Sequence, residues 1–287
     1  MPLDQEPIEE KEMSFLDHLE ELRWHVIRSL IAVVIFTIGA FVSAKWVFEN
    51  IVFAPARTDF PTFKALCRLG DFLGKTDLCI TDIPFKVQSR NMTGQFTMHI
   101  MASFIIGLMI AFPYVAWEIW RFVKPGLQKR ERKYSRGAVA AISILFFMGV
   151  MFGYYVIAPW MVYFLATYSI SDMVVNEFDI TSYVSTVVLL VFGSGLLFQL
   201  PVVIYFLTKI GIVTPQFLRT YRKHSIIIIL VVAAIVTPPD PLSQMLISIP
   251  LYLLFEISIL ISAGVARSKA KEDAAELLRE QSSSQPE

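Results

Sequence analysis

Residues 13–41, MSFLDHLEELRWHVIRSLIAVVIFTIGAF, decide the fold because an acidic, amphipathic helix start runs directly into a long apolar stretch. Ser14 and Asp17 form a Ser-x-x-Asp capping box, which predicts the start of a helix. Helical spacing gathers apolar side chains on one face of this start, namely Phe15, Leu16, Leu19, Leu22 and Val26. The apolar run that follows supplies the roughly 20 residues with which a helix crosses a bilayer core of about 30 Å. The stretch therefore predicts a helix that begins in water and enters a membrane.

The composition of the whole chain agrees with a membrane protein. Of the 287 residues, 55% are hydrophobic and 17% are charged, against roughly 45–50% and 25% in soluble domains. The 25 basic and 25 acidic residues balance, so no net charge favours a nucleic-acid partner. Two cysteines without a Cys-x-x-Cys or His/Cys cluster predict neither a metal site nor a cofactor. Hydrolase motifs are absent from the sequence, so we expect no enzyme activity, and we interpret His25 and His224 as interfacial side chains.

The hydropathy pattern predicts an all-α polytopic protein with a membrane domain over residues 14–265. Its six helices are expected at about 24–44, 97–117, 137–158, 184–207, 224–236 and 243–264. The fifth, SIIIILVVAAIV at 225–236, is short, and by length alone it could equally be a buried core helix or a re-entrant segment. We expect an acidic cytoplasmic tail over residues 1–13 and a charged, disordered tail over residues 266–287.

The distribution of lysine and arginine predicts the orientation in the membrane. Residues 118–136 contain seven, residues 208–223 four and residues 263–287 four, whereas residues 159–183 and 237–241 contain none. Residues 45–96 also contain seven lysines and arginines. These charges count less towards the orientation, because long loops cross the membrane largely regardless of charge. Both termini are therefore expected in the cytoplasm.

Two polar residues are expected at membrane depth, where an unpartnered polar group is costly. Gln199 lies in GSGLLFQLPVV, and Glu256 lies in YLLFEISIL. They are either interhelical hydrogen-bonding residues or sites for a partner, and Pro201 allows a kink beside Gln199. A secondary transporter of a small solute that uses both residues is the alternative function, although the sequence shows no internal repeat of the kind such transporters often have.

Five stretches in order resemble the TatC family, the multi-spanning component of the twin-arginine, Sec-independent protein translocase. They are HLEELR (18–23), WRFVKPGLQKRERK (120–133), FQLPVV (198–203), VTPPDPLSQ (236–244) and IPLYLLFEI (249–257). The resemblance runs from about residue 14 to 262 with fitting spacing. It implies a concave, glove-like bundle of six helices whose last two are short and do not span the full bilayer thickness.

The resemblance implies a signal-peptide-binding site at the cytoplasmic face. Glu21 and Glu131 match the two family carboxylates that recognise paired arginines, and Leu22, Arg23 and Phe122 would shape the same patch. A guanidinium forks onto a carboxylate with two parallel hydrogen bonds, so a pair of carboxylates suits a pair of arginines. The alternatives are a surface ion pair of Glu131 with its basic neighbours and interfacial anchoring by Phe122.

The resemblance also implies what the protein assembles with. Expected partners are twin-arginine signal peptides of folded precursors, single-span TatA- and TatB-type subunits, further copies of the chain and the lipid bilayer. The expected location is the bacterial cytoplasmic (inner) membrane, with transport driven by the proton-motive force.

The outer loop, residues 45–96, holds both cysteines, Cys67 and Cys79. On the predicted topology this loop faces an oxidising compartment, which favours a Cys67–Cys79 disulfide; the alternative is a pair of free buried thiols. Pro55 in FAPA and Asp240 in TPPDP are expected to have structural roles.

Overall fold

A computed structural model describes residues 15–75, 79–84, 86–123, 135–171, 173, 176–236 and 241–283. Its elements are α1 (Phe15–Val42), α2 (Ala44–Val47), α3 (Pro61–Leu73), β1 (Lys86–Gln88), α4 (Gly94–Val123), α5 (Ser135–Phe152), α6 (Ala158–Thr167), β2 (Glu177–Asp179), α7 (Ile180–Leu197), α8 (Leu200–Ile210), α9 (Pro215–Thr220), α10 (Arg222–Val236) and α11 (Pro241–Ser283), with π-helical segments at Phe48–Val52 and Gly153–Ile157 and a 3₁₀ turn at Ala54–Ala56. The acidic tail over residues 1–13, Glu131 and Asp240 lie outside the described residues.

Five described segments are long and apolar enough to cross a membrane. They are Glu20–Val42, Gly94–Val123, Gly137–Thr167, Ile180–Ile210 and Gln244–Lys271. They coincide with the first four predicted segments and with the sixth. The fifth predicted segment is α10, whose 15 residues give a length of about 22 Å. Because a bilayer core is about 30 Å thick, α10 is short, as expected.

The last helix differs from its prediction. α11 has 43 residues and continues to Ser283, so the expected short sixth helix and the expected disorder from residue 266 are wrong. Residues 265–283 contain neither glycine nor proline, and most of them are alanine, leucine, lysine, glutamate and arginine, which favour helix. The helix propensity of these residues therefore favours the continuation of α11 beyond the end of its apolar run.

The fourth membrane segment is divided by a turn. α7 ends at Leu197, Phe198 and Gln199 form the turn, and α8 begins at Leu200 with Pro201 in its first turn. Proline has no backbone N–H and its ring clashes with the preceding helical turn, so an uninterrupted helix is disfavoured here. The turn at Phe198 and Gln199 interrupts the helix beside Pro201, where the sequence allows a kink.

The bundle is held together by two groups of helices. α1 lies along α4, which also contacts α5 and α7, and α5 packs on α7. α11 packs against α8 and α10. Buried side chains of α4, α6, α7 and α11 form one continuous hydrophobic core.

Glycines allow the closest helix contacts. A Cβ added at Gly107 of α4 would lie 2.5 Å from the backbone nitrogen of Thr37 in α1. On the other side of the bundle, a Cβ at Gly149 of α5 would lie 2.6 Å from the carbonyl oxygen of Ser194 in α7. Small residues at membrane helix contacts let backbones approach this closely. Gly107 therefore sets the spacing of α1 and α4, which carry the candidate site.

The segment between α1 and α4 packs against the α6–α7 end of the bundle. Tyr154 donates a hydrogen bond to the carbonyl of Ile51 at 3.0 Å, and Tyr183 donates one to the carbonyl of Val52 at 2.9 Å. Pro55, in the adjacent 3₁₀ turn, is fully buried. A structural role for Pro55 stays a prediction.

A disulfide joins Cys67 in α3 to Cys79, across a sequence separation of 12 residues. The segment after it forms β1, which pairs in parallel with β2. The two thiols are therefore partners in the structure, as favoured on the predicted topology.

Asp179 joins β2 to the start of α7. Its carboxylate accepts hydrogen bonds from the backbone N–H of Thr181 at 2.8 Å and of Arg90 at 3.1 Å, and also from the Thr181 hydroxyl. The Thr181 hydroxyl is the largest influence in holding the pKa of Asp179 below its usual value, followed by the two backbone donors. These hydrogen bonds favour the charged carboxylate, which caps α7.

Candidate functional site

The motif residues of α1 and α4 lie side by side at one end of the bundle. Glu21 and Leu22 are half-buried and Arg23 is exposed in α1, while Phe122 is half-buried in the last turn of α4. His25 lies between the two helices, with its ring edge-on to Phe122 at 6.3 Å between centroids. The structure therefore brings Glu21 and Phe122 together around His25.

A buried histidine–glutamate pair forms the centre of this site. His25 is 6% exposed and Glu118 is 1% exposed. Nδ1 of His25 lies 2.5 Å from Oε2 of Glu118, and Nε2 of the same ring lies 3.8 Å from Oε1 of Glu21. One imidazole ring thus connects the buried carboxylate of α4 to the half-exposed carboxylate of α1.

Other side chains of α4 surround Glu118. Tyr114 lies near the carboxylate, one helical turn earlier on α4. Nη1 of Arg121 lies 3.6 Å from Oε1 of Glu118, and the Arg121 guanidinium also stacks over the Trp117 ring at 5.0 Å from its centroid. Because Arg121 is 44% exposed, water screens its contribution, so His25 is the main buried partner of Glu118.

The sequence prediction missed the pairing of His25 and Glu118. His25 was expected to be an interfacial side chain, and this is wrong because it is buried against α4. A signal was present: Glu118 is an isolated carboxylate at the end of the apolar run AFPYVAWEIW, 111–120. An ionisable residue in such a position is expected to have a partner inside the bundle.

Gln199 has partners inside the bundle. It is the residue before α8, and its Nε2 donates to the carbonyl of Ile142 in α5 at 3.3 Å and, more weakly, to that of Gly195 at 3.5 Å. These contacts agree with the interhelical hydrogen bonding offered as one interpretation, and they join α5 to the α7–α8 turn.

Glu256 also has partners. Its Oε2 lies 2.7 Å from Nη2 of Arg222 at the start of α10, and its Oε1 accepts a hydrogen bond from Tyr252 at 3.0 Å. The sequence prediction did not include Arg222. The ion pair connects α10 to α11 and neutralises a carboxylate that is 30% exposed.

Only one cluster of potential metal ligands lies close together in the described part of the chain. It contains Cys67, Asp71 and Cys79. The two sulfurs are joined to each other, so they offer no thiolate to a metal ion.

Comparison with known proteins identifies the family. The family model described as "Sec-independent protein translocase protein (TatC)" matches residues 17–250. The chain belongs to the TatC family. The TatC protein of Blattabacterium sp. subsp. Periplaneta americana is 38% identical over 263 residues, which are 91% of this chain and 99% of the relative. TatCy of Bacillus subtilis is 35% identical over 266 residues, 92% of this chain and 94% of that relative.

Solved TatC structures have the same fold. A crystal structure of the twin-arginine translocase receptor TatC is 30% identical, covers 86% of this chain and 99% of its own, and superposes with a TM-score of 0.66. A second crystal structure of the receptor, in the detergent DDM, is 31% identical, covers 85% and 99% of the two chains, and gives a TM-score of 0.69.

Family membership fixes the general function. The chain is a multi-pass membrane component of the Tat protein translocase, and its family transports proteins and is not an enzyme family. The alternative of a small-solute transporter is wrong. The polar residues on which that alternative relied, Gln199 and Glu256, are bonded to neighbouring helices.

Proposed function

We propose that this TatC-family chain is the receptor that binds twin-arginine signal peptides of folded precursors at the cytoplasmic face of the bacterial inner membrane. The observation that carries the proposal is the position of Glu21: a half-exposed carboxylate at the end of the bundle, backed by a buried His25–Glu118 pair and next to Phe122. A carboxylate in this setting can accept a guanidinium from solution while its surroundings limit competition from water.

Each nearby motif residue has a role in the proposed site. Glu21 accepts one arginine of the pair, and Glu131 accepts the other. Phe122 and Leu22 offer apolar surface to the rest of the peptide. Arg23, exposed on α1 two residues before His25, keeps the entrance from being uniformly acidic, so that binding does not extend to every basic surface.

The complex proposed around this receptor follows from the same family. The chain nucleates assembly of single-span TatA- and TatB-type subunits, associates with further copies of itself, and carries both termini in the cytoplasm. The proton-motive force then drives transport of the cargo across the membrane. The short α10 leaves a locally thin part of the bundle, which must be covered by partner helices or matched by a thinner bilayer.

The test is peptide binding to the full chain in nanodiscs, with a fluorescent twin-arginine peptide and its twin-lysine counterpart. Loss of a charge-assisted contact costs about 1.5–3 kcal/mol, which is about a 10- to 150-fold loss of affinity. Glu21→Ala and Glu131→Ala should each weaken the twin-arginine peptide by this amount. The twin-lysine peptide should bind less well to the native protein and lose less on substitution, because an ammonium cannot fork onto a carboxylate.

The matched control is Glu20→Ala, which removes an exposed carboxylate next to Glu21 on the same helix. Its effect on affinity should be less than about fivefold, since exposed ion pairs contribute about 0–1 kcal/mol. Equal losses in Glu20→Ala and Glu21→Ala, or equal responses of the two peptides, would show a diffuse acidic surface and would refute the receptor site.

A further inference from the structure

The central imidazole of the candidate site faces two carboxylates at once. His25 presents Nδ1 to Glu118 at 2.5 Å and Nε2 to Glu21 at 3.8 Å. The two carboxylates come from different helices, separated by 97 residues in the sequence (118 − 21). Tyr114, Arg121 and Arg28 are the other ionisable groups that act on the Glu118 side of the pair. Among the described side chains, the ring of His25 is the bridge that links Glu21 to Glu118.

The hydrogen-bonding chemistry of the two side chains explains why they pair. A carboxylate can only accept hydrogen bonds, whereas an imidazole ring carries an N–H that can donate one. The carboxylate of Glu118 is 1% exposed, so it requires a partner inside the protein, and Nδ1 of His25 lies within hydrogen-bonding distance.

The two contacts of the ring differ in strength. At 2.5 Å the Glu118 contact is a full hydrogen bond, which fixes the plane of the ring. At 3.8 Å the Glu21 contact is longer than a hydrogen bond and leaves that carboxylate able to bind another donor. Glu118 thus fixes His25, and His25 attracts Glu21 without saturating it.

We propose that His25 and Glu118 are positioning residues that hold the Glu21 carboxylate in the orientation needed to bind a guanidinium. This inference rests on the proposed signal-peptide site and adds two residues to it. A free glutamate side chain has several rotamers, and fixing them before binding removes part of the entropy cost of association. The orientation matters most for arginine, whose planar fork needs both carboxylate oxygens aligned, and less for the point charge of lysine.

The decisive variant replaces both members of the pair, His25→Leu with Glu118→Leu. A single substitution would leave a buried charge without its partner and could prevent folding, whereas removing both partners leaves an apolar contact that is often tolerated. The expected result in the nanodisc binding assay is a loss of about three- to tenfold in affinity for the twin-arginine peptide, from restored Glu21 rotamer freedom. Affinity for the twin-lysine peptide should change by less than about twofold.

A conservative double substitution distinguishes positioning of Glu21 from simple space filling between the helices. His25→Gln with Glu118→Gln keeps amide donors and acceptors between the two helices, so part of the orientation of Glu21 is retained. Its affinity for the twin-arginine peptide should fall between those of the native and the Leu/Leu proteins. If both paired variants bind like the native protein, the pair only joins α1 to α4 and the proposal is wrong.

Two controls separate this proposal from the function on which it rests. Thr208→Val with Ser262→Ala removes another buried polar pair, the hydroxyls 2.8 Å apart between α8 and α11, and should leave peptide affinity unchanged. Glu21→Ala tests the site itself. A strong loss in Glu21→Ala with no loss in the Leu/Leu protein would overturn the positioning role alone, and no loss in Glu21→Ala would overturn the receptor site. A Leu/Leu protein whose melting temperature falls no further than that of the Thr208/Ser262 control, but which has lost arginine preference, supports the proposal.

Discussion

The contact of α1 and α4 at Gly107 predicts a large effect from one methyl group. In Gly107→Ala, the new Cβ would lie 2.5 Å from the backbone nitrogen and hydroxyl oxygen of Thr37 and 2.7 Å from its Cα. These distances are below any real Cβ contact, and two of the three atoms belong to the backbone. A rotamer change therefore cannot relieve the clash, and α1 and α4 must move apart.

The change in stability of Gly107→Ala follows from two opposing effects. Overpacking of this kind costs about 1–3 kcal/mol, whereas alanine gains about 0.5–1 kcal/mol over glycine in a helix. The net loss is at most about 2.5 kcal/mol, and it should lie towards this upper end because backbone atoms of Thr37 are in the clash. For a chain of this size a loss of about 2.5 kcal/mol lowers the melting temperature by about 5–10 °C. Because α1 and α4 carry His25 and Glu118, the separation should also weaken twin-arginine peptide binding, although Gly107 lies 11 residues before Glu118 (118 − 107).

The assay is thermal unfolding of the detergent-solubilised protein, with Gly39→Ala as the matched control. Gly39 is also a helical glycine, in α1, but nothing lies within 4 Å of its added Cβ. The control should melt at or slightly above the native temperature, by helix propensity alone. If Gly107→Ala melts as high as Gly39→Ala, the helices separate without cost, and the close approach does not determine their packing.

Three further predictions concern the outer segment and the topology. In a background without Cys67 and Cys79, Met173→Cys should react with an impermeant thiol reagent on intact cells and Gln216→Cys should not, and labelling of the latter would reverse the orientation. Closing the disulfide loop, with its separation of 12 residues, should stabilise the outer segment by about 3 kcal/mol. Mass spectrometry without reductant should show the bond, and two alkylatable thiols would contradict it. Because the pKa of Asp179 is lowered in the folded state, its contribution is present above its unfolded pKa of about 4 and is lost as pH falls through the folded pKa. The melting temperature of the native protein should therefore fall more between pH 6 and pH 3 than that of Asp179→Asn, and parallel profiles would exclude this role.

The membrane helices were predictable because local sequence decides them. A span in lipid must satisfy its own backbone hydrogen bonds, so a sufficiently long apolar run becomes a helix whatever its neighbours are. The start of α1 at Phe15, directly after the predicted capping residue Ser14, follows from the same local reasoning. The extent of α11 does not follow from the sequence pattern, because a charged, polar segment is typical of disorder even when its residues individually favour helix.

The interior of the candidate site depends on contacts that no local pattern contains. His25 and Glu118 are 93 residues apart, and Arg222 and Glu256 are 34 apart. Which polar residues meet depends on the register of neighbouring helices, and that register is set by small residues such as Gly107. The motifs identified Glu21 and Phe122, whereas the residues that connect them required the packed helices.

Because α11 is a single long helix, a small change in its tilt displaces its C-terminal end by a large distance. The helix runs from Pro241 to Ser283, about 65 Å at 1.5 Å per residue, and its last 12 residues extend past the apolar span that ends at Lys271. If α11 pivots as a rod about its first turn, a tilt of about ten degrees moves its tip by about 11 Å. A fluorophore fused after Ser283 would therefore convert a small rearrangement among the membrane helices into a displacement that energy transfer can measure.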